Sequence, residues 1–267
     1  MKSEGSFKDI KGVPDFKCMQ LQEKQAKYCV LIPVINEGNR IRTLLKRAEH
    51  ADVWKSADII ICDGGSTDGS LEIEELRKRH VNTLLVKTGK GRQGAQLRMG
   101  FWYAIHKGYQ GFITIDGNNK DSIEDVPVFA EKLEKGYDFV QGSRFIKGGR
   151  AKNTPLSRYI AVRFLHAPVI SLTARKWYTD TTNAYRGYSL RYIKDRRVGI
   201  FRDIFEGYEL LAYLSVRASQ LGMKTCEVPV ARIYPKSGKI PTKISFFSGN
   251  LQLLKILFIN LMGGYQP

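Results

Sequence analysis

Short apolar runs alternate with amphipathic stretches through the first half of the chain. The runs are rich in β-branched residues and are bounded by Gly, Asn and Asp, so they predict buried strands. These strands are residues 28–34, 58–62, 83–86, 112–115 and 137–141. Apolar residues at helical spacing between the strands predict four helices. The first begins near Asn36, and the other three cover residues 66–79, 94–105 and 123–135. This alternation is typical of an α/β fold with a doubly wound, mostly parallel sheet and helices on both faces.

The alternation weakens after residue 142. Residues 155–174 predict a helix interrupted near Pro168, and residues 203–221 predict a long helix. Between these helices, residues 178–189 are polar and rich in turn formers. A final predicted strand, residues 225–233, contains Pro229 and is therefore expected at the edge of a sheet.

The two ends of the chain differ from the rest. Residues 1–27 are polar and predict a loosely packed arm. Residues 236–267 predict a basic loop followed by an amphipathic helix, which leaves residues 28–235 as the main domain.

Two acidic loops follow predicted strands, and carboxylates at strand ends lie where open α/β sheets bind ligands. The first is Asp63-Gly64-Gly65-Ser66-Thr67-Asp68; its carboxylate can accept hydrogen bonds from a base or ribose, or can simply form a strand-to-helix turn. The second is Asp116-Gly117-Asn118, with two oxygen ligands for a hard cation, although Gly and Asn also suit a tight turn. The glycine-rich, basic segment 88–95 precedes a helix, where anions bind readily.

The charge balance narrows the class of partner. The chain has 43 Lys and Arg against 26 Asp and Glu, a net charge of +17, which favours phosphate-bearing ligands, anionic membranes or nucleic acid. The basic residues are dispersed and no groove-reading motif is present, so nucleic acid is not expected. The four cysteines form no CxxC motif and predict free thiols. With no signal-peptide pattern and no run of about 20 apolar residues, we expect a cytoplasmic protein.

Taken together, these segments resemble the inverting family-2 glycosyltransferases of the GT-A fold, nearest to the polyprenyl-phosphate, dolichol-phosphate mannosyltransferase-like branch. The resemblance covers about residues 28–235. The segments that carry it, in chain order, are Ile32-Pro33-Val34-Ile35-Asn36-Glu37, Asp63 to Asp68, Gly91 to Gly100, Asp116 to Asn118, Gln141 to Phe145, Thr179 to Arg186 and Cys226 to Val230.

The resemblance implies a nucleotide-sugar donor, with a UDP- or GDP-sugar expected first. Pro33, Glu37 and Asp63 would hold its base and ribose, and Gly91 and Arg144 would lie near its diphosphate. Asp116 and Asn118 would coordinate Mg²⁺ or Mn²⁺. Asn118 stands where the family has a second Asp, and Asp121 could compensate.

A transfer to a sugar hydroxyl needs a carboxylate base, whereas a phosphate acceptor is already an anion. Asp180 is the first candidate for the acceptor site and Glu209 the second, with Asp203 and Glu206 also considered. Simple capping or ion pairing remains the alternative for Asp180 and Glu209. Arg186 could hold an acceptor anion or form an ordinary salt bridge.

The last 36 residues of the sequence combine a basic segment with an apolar one, a pattern relevant to membrane contact. Residues 232–243 are basic, and residues 244–262, including Phe246 and Phe247, are apolar but too short and polar to span a bilayer. They predict a helix at a membrane surface, or one packed on the protein's core or on a second copy.

We therefore expect a metal-dependent glycosyltransferase at the inner face of the cell membrane, acting in cell-surface glycan assembly. Its acceptor would be a polyprenyl phosphate or a lipid-linked saccharide. The alternatives are a nucleotidyltransferase and an inactive nucleotide-sugar-binding relative.

Overall fold

The computed structural model describes residues 4–235 and 248–267. Within these residues, nine strands form one sheet in the order β1-β2-β5-β4-β3-β6-β9-β7-β10, and β11 pairs with β8 in a second. The strands are β1 (Glu4–Phe7), β2 (Phe16–Gln20), β3 (Tyr28–Val34), β4 (Asp58–Asp63), β5 (Val81–Lys87), β6 (Gly111–Thr114), β7 (Phe139–Ser143), β8 (Arg150–Lys152), β9 (Arg186–Ser189), β10 (Thr225–Pro229) and β11 (Ala231–Ile233).

Helices cover both faces of the large sheet and bury two apolar layers against it. They are α1 (Asn39–His50), α2 (Ile73–Lys78), α3 (Gln93–His106), α4 (Val126–Glu134), α5 (Leu156–Ile160), α6 (Ala167–Ala174), α7 (Leu190–Lys194), α8 (Glu209–Gln220) and α9 (Ser248–Leu261).

Most strands of the large sheet run in one direction. Strands β5, β4, β3 and β6 are parallel neighbours, and only β2 and β9 run opposite to the others among the described strands. All six residues of β4 are buried, as expected for a strand covered by helices on both faces. The predicted doubly wound, mostly parallel sheet is confirmed, and β10 lies at its edge as Pro229 indicated.

The prediction of a loose N-terminal arm is wrong. Strands β1 and β2 extend the sheet beyond β5 by antiparallel pairing. Phe16 is fully buried, and its ring stacks on that of Phe7 with the centroids 4.8 Å apart. The carbonyl of Gly12 accepts a hydrogen bond from the guanidinium of Arg98 on α3. The first part of the segment is therefore integral to the sheet.

Several predicted boundaries also differ from the structure. Residues 66–72 are not helical, so α2 is shorter than expected, and residues 203–208 precede α8 instead of starting it. A Cβ on Gly94 would lie 2.6 Å from the carbonyl oxygens of Phe205 and Gly207, so segment 205–207 packs tightly on the start of α3 and leaves no room for another helical turn. The predicted last strand divides into β10 and β11, and the polar segment 178–189 contains β9.

The predicted interruption near Pro168 takes the form of a π-helical stretch. Residues 161–166 are π-helical and link α5 directly to α6, with Pro168 in the first turn of α6. Proline lacks the amide hydrogen that a helix interior needs, and local widening accommodates it. No helix in the described part of the chain is long and apolar enough to cross a membrane. The predictions for residues 236–243, Phe246 and Phe247 concern positions outside the described residues.

Candidate active site

Two strand-end loops are tied together at the carboxyl edge of the sheet. Val34, the last residue of β3, pairs in register with Asp63, the last residue of β4. The side-chain oxygen of Asn36 accepts a hydrogen bond from the backbone amide of Thr67 at 2.8 Å. The backbone amide of Asn36 donates to Ser66 Oγ at 2.9 Å. These bonds fix the spacing between the loop that carries Glu37 and the loop that carries Asp63.

The three residues predicted to hold a nucleoside lie at this edge. Pro33 is half-buried in β3, and Glu37 forms an ion pair with Arg40 at 2.7 Å. Asp63 is buried and accepts the amide of Ser66 at 3.0 Å and its hydroxyl at 2.6 Å. Its own loop thus orients the Asp63 carboxylate before any ligand binds.

The second acidic loop lies close against the first strand of this edge. A Cβ on Gly117 would be 2.9 Å from Val34 Cγ2, so only glycine fits this approach. Asp116 accepts hydrogen bonds from Gln93 on α3 and from Asn118, both at 3.2 Å. Asn118 Oδ1 in turn accepts the amide of Lys120 at 3.3 Å. The structure therefore brings Asp116 and Asn118 together, next to the end of β3.

Arg232 on β11 is the main partner of this loop. Its guanidinium donates to Asp116 at 3.2 Å and to the fully buried Asp121. Burial alone would raise the pKa of Asp116, but attraction to Arg232 and then Lys120 outweighs it, so the pKa lies below its ordinary value. For Asp121 burial dominates, and its pKa is raised despite Arg232. Burial, followed by repulsion from Arg232, lowers the pKa of Lys120.

Arg144 and Asp180 form a second buried pair. Asp180 accepts Arg144 Nε at 2.6 Å, Nη2 at 2.9 Å and the backbone amide at 3.1 Å. Because β9 runs opposite to its neighbours, the residues just before it, including Asp180, reach the carboxyl edge of the sheet. Asp180 is fully buried, so its carboxylate cannot meet an acceptor in this conformation. The geometry favours the ion-pair alternative over its predicted role as a base.

The remaining candidates contribute mainly to local structure. Gly91 adopts a φ of +97°, and a Cβ there would lie 2.5 Å from Ala95 Cβ, so this turn before α3 requires glycine. Glu209 accepts the backbone amide of Gly207 at 2.6 Å, so its carboxylate folds back on the segment before α8. Arg186 is buried and donates to the carbonyls of Thr181, Asn183 and Leu211, which leaves it no route to an acceptor anion. Asp203 pairs with Arg98 at 2.8 Å, and Glu206 is exposed.

Three residues at Asp116 were not identified from the sequence as site residues. Gln93 lies in the glycine-rich basic segment 88–95, Lys120 follows the second acidic loop, and Arg232 belongs to the basic stretch 232–243. A buried arginine in a predicted strand was the available signal, because such a charge needs a carboxylate partner.

The donor atoms around Asp116 fit a hard divalent cation that arrives with phosphate ligands. They are carboxylate and amide oxygens, and Mg²⁺ typically takes one or two carboxylates together with substrate phosphates. Asp121 Oδ1 is buried and has no hydrogen-bond partner among the described residues, so one further oxygen is available. No group of three or more His, Cys, Asp or Glu side chains gathers within residues 4–235 and 248–267, so the protein alone offers a sparse ligand set.

The fold is that of the GT-A glycosyltransferases. Glucosyl-3-phosphoglycerate synthase from Mycobacterium tuberculosis, crystallised with Mn²⁺, UDP and phosphoglyceric acid, aligns with a TM-score of 0.58 at 14% identity. The alignment covers 88% of this chain and 78% of that chain. At so low an identity, the likeness shows the fold alone.

The chain belongs to glycosyl transferase family 2, whose sequence model matches residues 29–208. Polyprenol monophosphomannose synthase of Mycolicibacterium smegmatis is 26% identical over 215 residues, which cover 75% of each chain. Undecaprenyl-phosphate mannosyltransferase of Micrococcus luteus is 27% identical over 213 residues, covering 78% of this chain and 84% of that protein. The predicted family, its polyprenyl-phosphate branch and the class of enzyme are confirmed, and the nucleotidyltransferase alternative is set aside.

Proposed function

We propose that this glycosyltransferase moves a sugar from a nucleoside-diphosphate sugar to a polyprenyl phosphate at a membrane surface. The observation that carries the proposal is the convergence of Glu37, Asp63 and Asp116 at one edge of the sheet. The names of the M. smegmatis and M. luteus relatives support the acceptor class.

The donor would lie across the tied loops. Pro33, Glu37 and Asp63 bind the nucleoside, with Asp63 already oriented by Ser66. The turn at Gly91, just before α3, would lie near the diphosphate, because its glycine lets a ligand approach the backbone closely. A UDP- or GDP-sugar is the expected donor, and the UDP bound by the M. tuberculosis enzyme supports the first of these.

Asp116 and Asn118 would hold Mg²⁺ or Mn²⁺ on the donor diphosphate. When bound, such a cation neutralises the charge that develops on the leaving diphosphate. Gln93 and Arg232 orient Asp116 for this role, because each donates a hydrogen bond to its carboxylate. Arg144 stays paired with Asp180 and contributes by holding the carboxyl edge of the sheet in place beside the diphosphate.

A phosphate acceptor suits the available side chains better than a hydroxyl. Its oxygen attacks the anomeric carbon while the bond to the diphosphate breaks, so the anomeric centre inverts and no proton has to be removed. Asp180 is enclosed and Glu209 is bonded to the backbone amide of Gly207, which leaves neither placed as a base. Arg158 lies over the ring of Tyr234 beside the second acidic loop and would provide positive charge for an anionic acceptor.

Exposed apolar side chains on α5, α6 and α9 favour a bilayer surface. Helices α6 and α9 pack together, and Phe164 and Leu172 are 75% and 71% exposed, with Phe258 on α9 63% exposed. Exposed Arg175, Lys176 and Lys255 lie on or beside the same helices and suit anionic head groups. We propose that this apolar surface rests on the inner face of the cell membrane. Homo-oligomerisation and the division at residue 235 stay predictions.

A transfer assay tests the proposal. The full chain would be incubated with vesicles that contain undecaprenyl phosphate, one of a series of UDP- and GDP-sugars, and Mg²⁺, Mn²⁺ or EDTA. Transfer of labelled sugar into the lipid fraction with one donor, dependent on both the metal and the lipid phosphate, is the expected result. Transfer to a saccharide but not to lipid phosphate would contradict the acceptor, and no transfer with any pair would favour the inactive-relative alternative.

A further inference from the structure

One guanidinium serves both Asp116 in the second acidic loop and Asp121 just after that loop. Arg232 reaches Asp116 through one terminal nitrogen and Asp121 through the other. The side chain of Arg232 is only 9% exposed, and that of Asp121 is fully buried. The positively charged guanidinium of Arg232 therefore already occupies the space between the two carboxylates.

The bridge is held by backbone pairing. The amide of Ile233 donates to the carbonyl of Lys120 at 2.8 Å, and the amide of Ser122 donates to the carbonyl of Ala231 at 3.0 Å. These two bonds flank Arg232 and Asp121, which form an antiparallel bridge. Arg232 is thus positioned by the fold and does not reach the loop as a flexible surface side chain.

The local charge is balanced without a metal. Asp116 and Asp121 carry two negative charges, while Arg232 and the buried Lys120 carry two positive ones. A divalent cation added alone would leave this balanced, buried cluster with two uncompensated positive charges, which is costly in a region of low dielectric constant. A nucleoside diphosphate would bring the missing negative charge along with phosphate oxygens as ligands.

We propose that Arg232 is a resident counter-ion of the acid pair, so that the divalent metal enters only together with the donor's diphosphate. This inference rests on the proposed function. Arg232 is a positioning residue: it holds Asp116 oriented in the empty site and keeps the free metal out. Neutralising it exposes both carboxylates to a cation, including the buried Asp121 Oδ1 that has no hydrogen-bond partner among the described residues.

Direct measurement of Mn²⁺ binding tests the proposal. The free Mn²⁺ signal in electron paramagnetic resonance would be titrated with the full-length wild type, Arg232→Gln and Arg232→Lys, each alone and with UDP or GDP. For the wild type we expect weak binding alone and at least tenfold tighter binding with one nucleotide. Arg232→Gln should bind Mn²⁺ alone at least tenfold more tightly than the wild type, whereas Arg232→Lys keeps the charge and should behave like the wild type.

Two controls separate the alternatives. Arg191→Gln removes an exposed arginine that pairs with the buried Asp138, outside the site, and should leave Mn²⁺ affinity unchanged. If Arg232→Gln does not fold by circular dichroism, Lys120→Gln replaces it and should show a smaller gain in the same direction. Unchanged or weaker Mn²⁺ binding in the folded variant would overturn the role of Arg232. Absence of any nucleotide effect in the wild type would instead count against the proposed function.

Discussion

Arg144 and Asp180 form a bidentate ion pair that is almost completely withdrawn from solvent. Burial opposes the charge of Arg144, but attraction to Asp180 outweighs it and raises the pKa of the arginine above its ordinary value. The pair joins the end of β7 to the segment before β9. Glu227 holds the same segment by accepting the amide of Thr179 at 3.0 Å.

This enclosure predicts a large stability effect. Asp180→Ala leaves the guanidinium buried without its partner and should lower the free energy of unfolding by about 3–5 kcal/mol. Urea unfolding followed by circular dichroism measures the change. Arg144→Met combined with Asp180→Leu should cost clearly less than the single substitution. A loss below about 1 kcal/mol for Asp180→Ala would contradict a structural role for the pair.

Substitution of Asp63 should weaken nucleotide binding more than it lowers the stability of the fold. Asp63→Ala removes the carboxylate proposed to accept hydrogen bonds from the nucleoside, each worth on the order of 1–2 kcal/mol, so binding should weaken about 10- to 100-fold. Calorimetric titration with the nucleotide measures the change. Asp52→Ala removes an exposed carboxylate paired with Lys55 and serves as the control. Equal affinity for wild type and Asp63→Ala would rule out the nucleoside role.

Substitution of Asp116 should reduce turnover while the protein remains folded. Asp116→Ala removes the one carboxylate proposed to bind the metal directly and should reduce the rate by at least about 100-fold. The transfer assay under saturating Mn²⁺ measures it, with the melting temperature as the check on folding. Glu124→Gln, which removes a surface partner of Arg47, should retain activity. Full activity of Asp116→Ala would refute the metal-site assignment.

The exposed apolar helices predict weaker vesicle binding after substitution. Phe164→Glu together with Phe258→Glu removes two aromatic rings, each worth about 1.5–3 kcal/mol when buried, so partition should fall by at least about tenfold. Co-sedimentation with anionic vesicles measures the bound fraction. Lys78→Glu, on the exposed side of α2, changes the net charge by the same two units and is the matched control. If both variants lose binding equally, net charge and not the apolar surface is responsible.

The lowered pKa of Tyr234 should make the stability of the protein depend on pH. Burial would raise its pKa, but Arg232 and Arg158 outweigh burial and lower it from 10.0 to about 8. Because the folded pKa is the lower one, the stabilisation is fully present above about pH 10 and is lost as the pH falls through about 8. The wild type should therefore gain up to about 3 kcal/mol relative to Tyr234→Phe across this interval.

Phenolate absorbance checks the origin of that effect. The difference in absorbance between the wild type and Tyr234→Phe should titrate near pH 8 in the folded protein. A midpoint near pH 10 would contradict the influence of the two arginines.

The sequence predicted the parallel strands well because each is an apolar run buried on both faces, as in β4. It missed β9, because Arg186 is buried against the carbonyls of Thr181, Asn183 and Leu211 and so does not follow an apolar pattern. It also missed β2, in which the exposed Lys17 separates the buried Phe16 and Cys18 and the strand ends at Gln20.

The acidic loops were predicted because a strand that ends at Asp-Gly has a local signature. The partner of Asp116 was not, because Arg232 lies 116 residues further along the chain. Residues joined only by tertiary contacts leave no mark on spacing or periodicity.

The pairing of β2 with β5 has a consequence for synthesis on the ribosome. Residues 16–20 emerge first, but their partner, residues 81–87, follows only after about 60 further residues. During that interval the nascent chain carries a strand with an open hydrogen-bonding edge, which is prone to pair with other chains. We therefore expect the yield of soluble protein to depend on chaperone capacity and on the translation speed before residue 87.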